Sequence, residues 1–402
     1  MRSIILFVFL LLAHGLPAKA ATVAVQFDLH EIRPVVVEGV ADRATGRLVT
    51  ADDPVRIASV SKLVTSLAVL RLSDQGKVDL DRDVSAYLGW RLRNPAFPEA
   101  PITLRALLSH QASLRDGDDQ YIIPLGQSLR DRLADPVLWD RDHGPSSGWF
   151  AYANMNFPVV AAVVERVTGQ RFDRATHQLV LKPLRLDACF NWGAGCSGRA
   201  LRHAVVLYRA SGEVARDDLK GRPPLCPVVV AQNGSCDLSH YRLGDNGALF
   251  SPQGGLRISM VDLARIGQML ANKGRGFLSS RAYDALTRAQ WQAQPGTFGR
   301  NGGMNEYGQI DGSFCAYGLG LQRIGAGGQG CRDDLFGDGK LRLGHAGEAY
   351  GLRSGLWWDP ATKRGVAYFI TEMAEDAAQG RSAFSGPEEA LMVRATAAPA
   401  AK

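Results

Sequence analysis

The sequence predicts an α/β (α+β) fold, in which helices are inserted between the strands of an antiparallel sheet. β-Branched runs at 22–27 and 34–40 predict strands near the start of the chain. Short apolar runs separated by turns, at 317–324, 351–358 and 365–370, predict a meander of antiparallel strands in the last third. Because the predicted helices lie between these two groups, we expect the first and last strands to share one sheet, which argues against a doubly wound fold.

The middle of the chain is predicted to be mostly helical. Leu63, Leu67 and Leu70 recur at the spacing of one helical face, and Gly76 marks the end of that helix. Residues 185–255 are rich in loop-forming residues and interrupt the helical pattern. Apolar spacing predicts helices at 59–75, 102–108, 159–167, 260–271 and 387–394.

Composition and charge exclude several classes of protein. The 402 residues are 46% hydrophobic and 21% charged, which is an ordinary globular composition and excludes a wholly disordered, collagenous or coiled-coil chain. The net charge of +6 comes from interspersed residues and not from a basic stripe, so we expect no nucleic-acid partner. A monomer is the default expectation.

The first twenty residues are predicted to be a signal peptide. A basic start at Arg2 is followed by an apolar run at 4–13, and Ala18-Lys19-Ala20 fits a small-x-small cleavage pattern. Ten apolar residues rise only about 15 Å as a helix, too little to span a bilayer. The alternative is an uncleaved anchor. We expect cleavage near Ala20 and a secreted or periplasmic product with no membrane span.

Six cysteines are consistent with export, because an even number in an oxidising compartment indicates disulfides. Six cysteines permit many connectivities, but they fall into three pairs that are close in sequence. A metal site is the rival interpretation, and the absence of C-x-x-C and of histidines at ligand spacing disfavours it. We expect no cofactor, no metal, and the pairs Cys189 with Cys196, Cys226 with Cys236, and Cys315 with Cys331.

The first chemical motif is S-x-x-K, formed by Ser59 and Lys62. Residues i and i+3 share a helical face, so the hydroxyl and the amine can meet. A serine hydroxyl needs an adjacent base to become a nucleophile, and a lysine is such a base only if its surroundings lower its pKa. The alternative, purely structural interpretation of the same residues is an N-cap serine, Ser59 or Ser61, followed by a solvated lysine.

Two further motifs supply polar groups. In Tyr152-Ala153-Asn154 the phenol could relay a proton and the amide could hold a lysine or a carbonyl, although a buried tyrosine and a turn asparagine explain the pattern equally well. His345-Ala346-Gly347 lies in a predicted edge strand, where a glycine lets a substrate backbone lie close. The backbone N–H of Glu348 could then donate to an oxyanion.

Together and in this order, the three motifs resemble the serine β-lactamase and penicillin-binding family, in the branch with class C β-lactamases, D,D-carboxypeptidases, D-amino-acid amidases and esterases. That family uses S-x-x-K, Y-x-N and K-T-G or H-x-G. The resemblance covers roughly residues 35–372 and extends to the segments that flank the motifs, at 56–62, 107–114, 150–154 and 251–257.

The resemblance implies a β-lactamase/transpeptidase-like fold and a role for each motif residue. Ser59 would be the acylated nucleophile, and Lys62 or Tyr152 the acylation base, a choice that stays open. Tyr152 would shuttle the proton to the leaving group. The remaining roles would be a positive or hydrogen-bonded partner beside Tyr152 for His345, a structural role for His110, substrate and lysine positioning for Asn154, close approach for Gly347, and oxyanion donation by the N–H groups of Ser59 and Glu348.

The resemblance also sets the expected organisation of the chain. We expect a signal peptide at 1–20, one serine hydrolase domain at 21–395 and a flexible tail at 396–402. Within the domain, the sheet part would comprise about 21–58 and 256–395, and the mostly helical part about 59–255.

Departures from the family pattern bear on the substrate. The lactamases carry lysine where this chain has His345, and many peptidases carry threonine where it has Ala346. Both losses weaken recognition of a free carboxylate, although a cation such as Arg353 could compensate. The sequence therefore favours an esterase or an amidase/peptidase acting on a small-molecule or peptide acyl donor. The alternatives are a class C type β-lactamase and an inactive penicillin- or peptidoglycan-binding protein.

Overall fold

The computed structural model describes residues 19–294, 298–325 and 327–397. Most of the predicted signal peptide and the last residues of the predicted tail lie outside these ranges. The dominant element is an eight-stranded antiparallel sheet, whose strands in chain order are β1 Thr22–Phe27, β2 Ile32–Glu38, β3 Trp291–Gln292, β4 Ala316–Tyr317, β5 Gln322–Ile324, β6 Arg342–Ala349, β7 Leu352–Trp358 and β8 Gly365–Ile370.

The order of strands across this sheet is β3-β4-β5-β6-β7-β8-β1-β2. The first strand of the chain pairs with the last, with Thr22 opposite Ile370 and Phe27 opposite Gly365. The prediction that both ends of the chain share one antiparallel sheet is therefore confirmed.

Five helices are eight or more residues long in the described part of the chain: α1 Ser61–Asp74, α2 Asn156–Thr168, α3 Met260–Ala271, α4 Ser280–Thr287 and α5 Gly386–Ala397. Shorter helical segments are Ala58–Val60, Ser85–Leu88, Leu104–Leu108, Leu129–Arg132, Pro136–Leu138, Phe172–Thr176, His177–Leu181 and Gly198–Arg202. Short strands outside the main sheet are Val40–Asp42, Arg47–Leu48, Val55–Arg56, Phe150–Ala151, Cys189–Phe190, Leu207–Tyr208, Val214–Arg216, Leu256–Ile258 and Gly302–Met304.

Both faces of the sheet are covered by helices. Val23 and Val25 point into the large core that also contains α1, α2 and α3, whereas Ala24 points to a second cluster that includes residues of α5. This alternation follows from the two-residue period of a strand. Helix α3 packs closely on the sheet at Gly267, where an added Cβ would lie 2.3 Å from the ring of Phe27.

Local signals set several element boundaries. The predicted helix at 102–108 begins two residues later, at Leu104, because the Thr103 side chain accepts a hydrogen bond from the Ala106 N–H and caps it. The predicted strand at 34–40 instead ends at Glu38, because Gly39 adopts a φ of +90° and breaks the extended backbone.

The described residues contain three disulfides, with Cα–Cα distances of 5.1, 5.7 and 5.9 Å. Their pairings, Cys189–Cys196, Cys226–Cys236 and Cys315–Cys331, are those that the sequence predicts. Over the same ranges, no helix has the length and apolarity that crossing a bilayer requires.

Candidate active site

The nucleophile candidate, Ser59, lies in the short 3-10 helix that leads into α1. The preceding residue, Ala58, has a φ of +45°, a left-handed conformation that residues with a Cβ seldom adopt. Strained backbone of this kind persists where the surrounding structure over-determines it, and such positions cluster at functional sites. Ser59 lines a cleft of about 1780 Å³.

Lys62 follows one helical turn later, and its ammonium group is fully buried beside Ser59. The Nζ atom donates to Ser59 Oγ at 2.9 Å and to Asn154 Oδ1 at 2.7 Å. A third bond, of 3.2 Å, goes to the backbone carbonyl of Gln253. An ammonium has three protons, so each of them has a partner.

Burial lowers the pKa of Lys62 from 10.5 to about 7, because the charged ammonium is removed from water. The negative charges of Asp116 and Glu306 act in the opposite direction. At neutral pH a large fraction of the side chain is therefore the neutral amine. A general base needs a pKa near the working pH, and this lysine has one.

Asn154 is held by a carboxylate that the sequence did not single out, Asp116. The Asn154 amide donates from Nδ2 to Asp116 Oδ2 at 2.8 Å, which leaves its Oδ1 facing Lys62. The backbone N–H of Met155 donates to the other carboxylate oxygen at 2.9 Å. Burial raises the pKa of Asp116. A chain of hydrogen bonds thus runs from Asp116 through Asn154 to Lys62.

Asp116 could not be distinguished from its neighbours by sequence alone. It lies in a loop beside Asp118 and Asp119, and all three have the same residue type. The Gln253 contact was equally hidden, because a backbone carbonyl leaves no signal in residue type. The run at 251–257 entered the sequence analysis only as a segment that flanks the motifs.

Tyr152 is buried beside Ser59 and Lys62. Burial raises its pKa well above 10, while a hydrogen-bonding interaction with Ser59 acts in the opposite direction. Its phenol is therefore protonated at neutral pH. Lys62 Nζ lies 4.7 Å from the centre of the Tyr152 ring, so the two groups and Ser59 form one cluster.

The His110 imidazole packs against the Tyr152 ring. The two rings stack with centroids 4.3 Å apart and an interplanar angle of 26°. His110 Nδ1 accepts from the Ala153 N–H at 3.0 Å. Burial lowers the pKa of His110 well below 6.5, so the imidazole is neutral and Nε2 carries its proton.

Strand β6 forms the opposite wall of the site. A Cβ on Gly347 would lie 2.3 Å from the carbonyl oxygen of Ile57 and 3.1 Å from the amide nitrogen of Ser59. Only glycine allows this approach. The Ser354 hydroxyl, on the neighbouring strand, donates to the same Ile57 carbonyl at 2.9 Å and holds the nucleophile segment against the sheet.

The predicted edge at His345-Ala346-Gly347 is found at these residues, but it does not extend to the start of β6. Leu343 and Gly344 pair with β5 as well as with β7, so that part of the strand is internal to the sheet. From His345 onward the pairing is with β7 alone, and the free side faces the Ser59 segment.

His345 is neutral and hydrogen-bonded, which is the second of the two roles that the resemblance left open. Its Nδ1 faces the Ala346 carbonyl, an acceptor, and therefore carries the proton. Its Nε2 then accepts from the hydroxyl of Tyr317 at 2.8 Å. Burial and the nearby Lys62 lower the pKa of His345 to about 3.

Arg353 does not replace the missing cation. Its guanidinium forms an ion pair with the carboxylate of Glu348, directly across β6 and β7. This wall of the cleft therefore has no net positive charge from His345, Glu348 and Arg353 together.

The outer wall of the cleft is apolar. Residues 222–230 line it, and the Leu225 side chain is fully exposed there. Val229 and, from another loop, Ile122 are also exposed apolar residues of this wall. Such a surface suits an apolar part of a ligand. Over the residues that the structure describes, no group of three or more His, Cys, Asp or Glu side chains is arranged to hold a metal ion.

The chain is similar in sequence to a family of known enzymes and binding proteins. The family model described as Beta-lactamase matches residues 14–384. Esterase EstB of Burkholderia gladioli is 30% identical over 273 residues, 63% of this chain. Penicillin-binding protein 4 of Amycolatopsis lactamdurans is 30% identical over 281 residues, 70% of this chain. Each match spans 66% of the relative's own length.

The solved structures resemble the whole fold. The D-amino acid amidase of Ochrobactrum anthropi SV3 superimposes with a TM-score of 0.65 at 17% identity. The match covers 94% of this chain and 92% of the amidase. At this identity the likeness concerns the fold alone.

Proposed function

Because the chain belongs to the beta-lactamase family, we propose that it is a serine hydrolase that cleaves an ester or amide bond through an acyl-Ser59 intermediate. One observation carries the proposal. Lys62 Nζ lies 2.9 Å from Ser59 Oγ, and its pKa is lowered to about 7. A nucleophile and a base at hydrogen-bonding distance are what acyl transfer to serine requires.

The chemistry follows from the positions of these groups. Neutral Lys62 takes the Ser59 proton as Oγ attacks the carbonyl carbon. The oxyanion accepts from the N–H groups of Ser59 and Glu348, which the close approach at Gly347 brings together. Tyr152, whose raised pKa keeps it protonated, gives a proton to the leaving group and is reprotonated from Lys62. Water then attacks the acyl-Ser59 ester along the reverse path, and the acid is released.

The substrate is proposed to be an ester or amide rather than a β-lactam. The wall that would face a β-lactam carboxylate is neutral at His345 and apolar at Ala346, and Arg353 is neutralised by Glu348. The relative named as an esterase supports this preference. The relative named as a penicillin-binding protein keeps the β-lactamase and inactive-binder alternatives in the test.

We also propose that the protein is exported as a monomer. The three disulfides support an oxidising compartment, where such bonds persist.

The test is hydrolysis of 4-nitrophenyl butyrate by wild type and Ser59→Ala, with nitrocefin as a second substrate. We expect Ser59→Ala to lose about 10⁴-fold or more in kcat, because the covalent route is removed. Mass spectrometry should find the acyl group on Ser59. Ser66→Ala is the matched control, since Ser66 Oγ donates only to the Lys62 carbonyl within α1.

Wild-type rates in Ser59→Ala would contradict the proposal. Nitrocefin turnover comparable with ester turnover would favour a β-lactamase. Acylation by penicillin without turnover of any substrate would favour the inactive binder.

A further inference from the structure

A second cation, Arg56, is half-buried three residues before the nucleophile. Arg56 belongs to the strand Val55–Arg56, which pairs with Leu256–Ile258 and places Arg56 directly opposite Arg257. Residues opposite one another in an antiparallel pair share one face. Both arginines line the same cleft as Ser59.

Arg257 is fully paired within the protein. Its guanidinium binds Asp217 through two hydrogen bonds, of 3.1 Å from Nε and 2.9 Å from Nη2. Nη1 donates to the Asn191 side chain at 2.6 Å. The same carboxylate also accepts from the Trp192 indole at 2.8 Å. Asp217 is therefore committed to Arg257 and neutralises its charge.

Arg56 has no such partner. Its one hydrogen bond to a described residue is a long contact of 3.4 Å from Nη2 to the Ser251 hydroxyl, and its buried Nε has none. No carboxylate of the described residues forms an ion pair with it. Burial lowers the pKa of Arg56 to about 10, so it is still charged at neutral pH. A half-buried guanidinium without an anion is costly, because its buried Nε donor has lost water and gained no acceptor.

Tyr350 and Arg216 complete the cluster. The Arg56 and Arg216 guanidinium carbons lie 5.1 and 4.9 Å from the centre of the Tyr350 ring. Arg216 also donates to the Tyr350 hydroxyl at 3.2 Å, and it is exposed at the cleft. With Arg257 neutralised by Asp217, the cluster keeps two positive charges in excess.

We propose that Arg56 and Arg216 form a subsite that binds a carboxylate carried by the substrate. This inference rests on the proposed function and narrows its substrate class to acyl donors with a negatively charged group. A Cβ on Gly254 would lie 3.5 Å from Arg56 Nη2 and 3.8 Å from the carbonyl carbon of Ala58, so the guanidinium and the nucleophile segment are close neighbours. A short spacer between the scissile carbonyl and the carboxylate fits this separation.

The test compares two esters that differ in one charge: mono-4-nitrophenyl glutarate and the same ester with its free carboxylate methylated. We expect Arg56→Gln to lower the ratio of their kcat/KM values, charged over methylated, by about 10- to 100-fold, because a charge-assisted hydrogen bond is lost. Arg216→Gln should lower the ratio by a smaller factor. It also tests the subsite independently if Arg56→Gln does not fold, because Arg216 is exposed.

Arg209→Gln is the matched control. Arg209 lines the same cleft and is paired with Glu375 at its exposed rim, so the substitution removes the same formal charge. We expect its ratio to stay within about twofold of wild type, since surface pairs contribute little. Ratios within twofold of wild type in both Arg56→Gln and Arg216→Gln would overturn the inference while leaving the acyl-serine proposal intact.

A binding measurement tests the carboxylate subsite independently of catalysis. Titration calorimetry of the Ser59→Ala protein should show that mono-4-nitrophenyl glutarate binds more tightly than its methylated form, and that Arg56→Gln or Arg216→Gln in this background removes the difference. Equal binding of both esters to Ser59→Ala would overturn the subsite. This result does not depend on turnover, so it stands whether or not the wild type hydrolyses either ester.

Discussion

Lys62 is a fully buried cation and Arg56, six residues earlier, is a half-buried one, and the two respond to the loss of water in different ways. Lys62 has three hydrogen-bond partners and a pKa lowered to about 7, so it can lose its proton. Arg56 has one long hydrogen bond, and its pKa, lowered to about 10, keeps it charged. Desolvation lowers the pKa of both side chains, but only that of Lys62 comes near neutral pH.

The difference follows from the two functional groups. An ammonium is a compact charge whose pKa shifts readily when water is removed, whereas a guanidinium delocalises its charge and keeps its proton. Lys62 would therefore perform proton transfer, whereas Arg56 would bind an anion.

Among the tests of this comparison, substitution of Lys62 has the largest expected effect. We expect Lys62→Arg and Lys62→Met to lose about 10³-fold in kcat each, because neither side chain can accept the Ser59 proton and general-base catalysis contributes on this scale. The measurement is ester hydrolysis at pH 8, with thermal unfolding monitored by circular dichroism as a check on folding.

The pair of variants distinguishes a base from a fixed charge. If Lys62 served only as a cation, Lys62→Arg would retain much of the activity that Lys62→Met loses. Clearly higher activity in the arginine variant would therefore contradict the role of Lys62 as the base.

The pH dependence of the wild type is the next largest effect. The active species is the neutral amine, so kcat/KM should fall about tenfold per pH unit below the Lys62 pKa of about 7 and level off above it. Because this pKa is lower than in the unfolded chain, the unfolded state binds more protons between about pH 7 and 10.5, and the contribution of Lys62 to the free energy of unfolding rises with pH there. A flat profile from pH 5.5 to 8, with the fold intact by fluorescence, would be incompatible with a lysine base.

Much of the fold could be predicted because its periodic elements are long. The strands Thr22–Phe27 and Gly365–Ile370 and the helix Met260–Ala271 have the bounds that the sequence predicts. In the helix, the Ser259 hydroxyl accepts from the Asp262 N–H and fixes the start. The strand Val55–Arg56 was missed, because two residues are too few for a period to be recognised.

The residues of the candidate site also fall into those that the sequence could predict and those that it could not. Ser59 and Lys62 were predictable because both lie on one turn of helix, where sequence spacing determines distance. Tyr317, Asp116 and Arg56 were not, because their contacts depend on how separate loops and strands pack. Tyr317 reaches His345 across 28 residues, and the lack of a partner for Arg56 is visible only once every neighbouring carboxylate has been placed.

The smallest expected effect concerns Asp116, whose negative charge acts on Lys62, whereas no carboxylate of the described residues pairs with Arg56. In Asp116→Asn the negative charge that raises the pKa of Lys62 is removed, so this pKa should fall and the acid limb of kcat/KM should move to lower pH. The new amide can accept from only one of two donors, the Asn154 Nδ2 or the Met155 N–H, and would face the other with its own NH₂ group. We expect the plateau to fall by about tenfold, because one buried donor loses its acceptor and Asn154 no longer holds Lys62 firmly.

Asp118→Asn is the matched control, since Asp118 is an exposed residue of the same loop and lines the same cleft. A reduced plateau with an unmoved limb would show that Asp116 acts on position alone, and a limb that moves equally in Asp118→Asn would show that the effect is only that of general charge in the cleft.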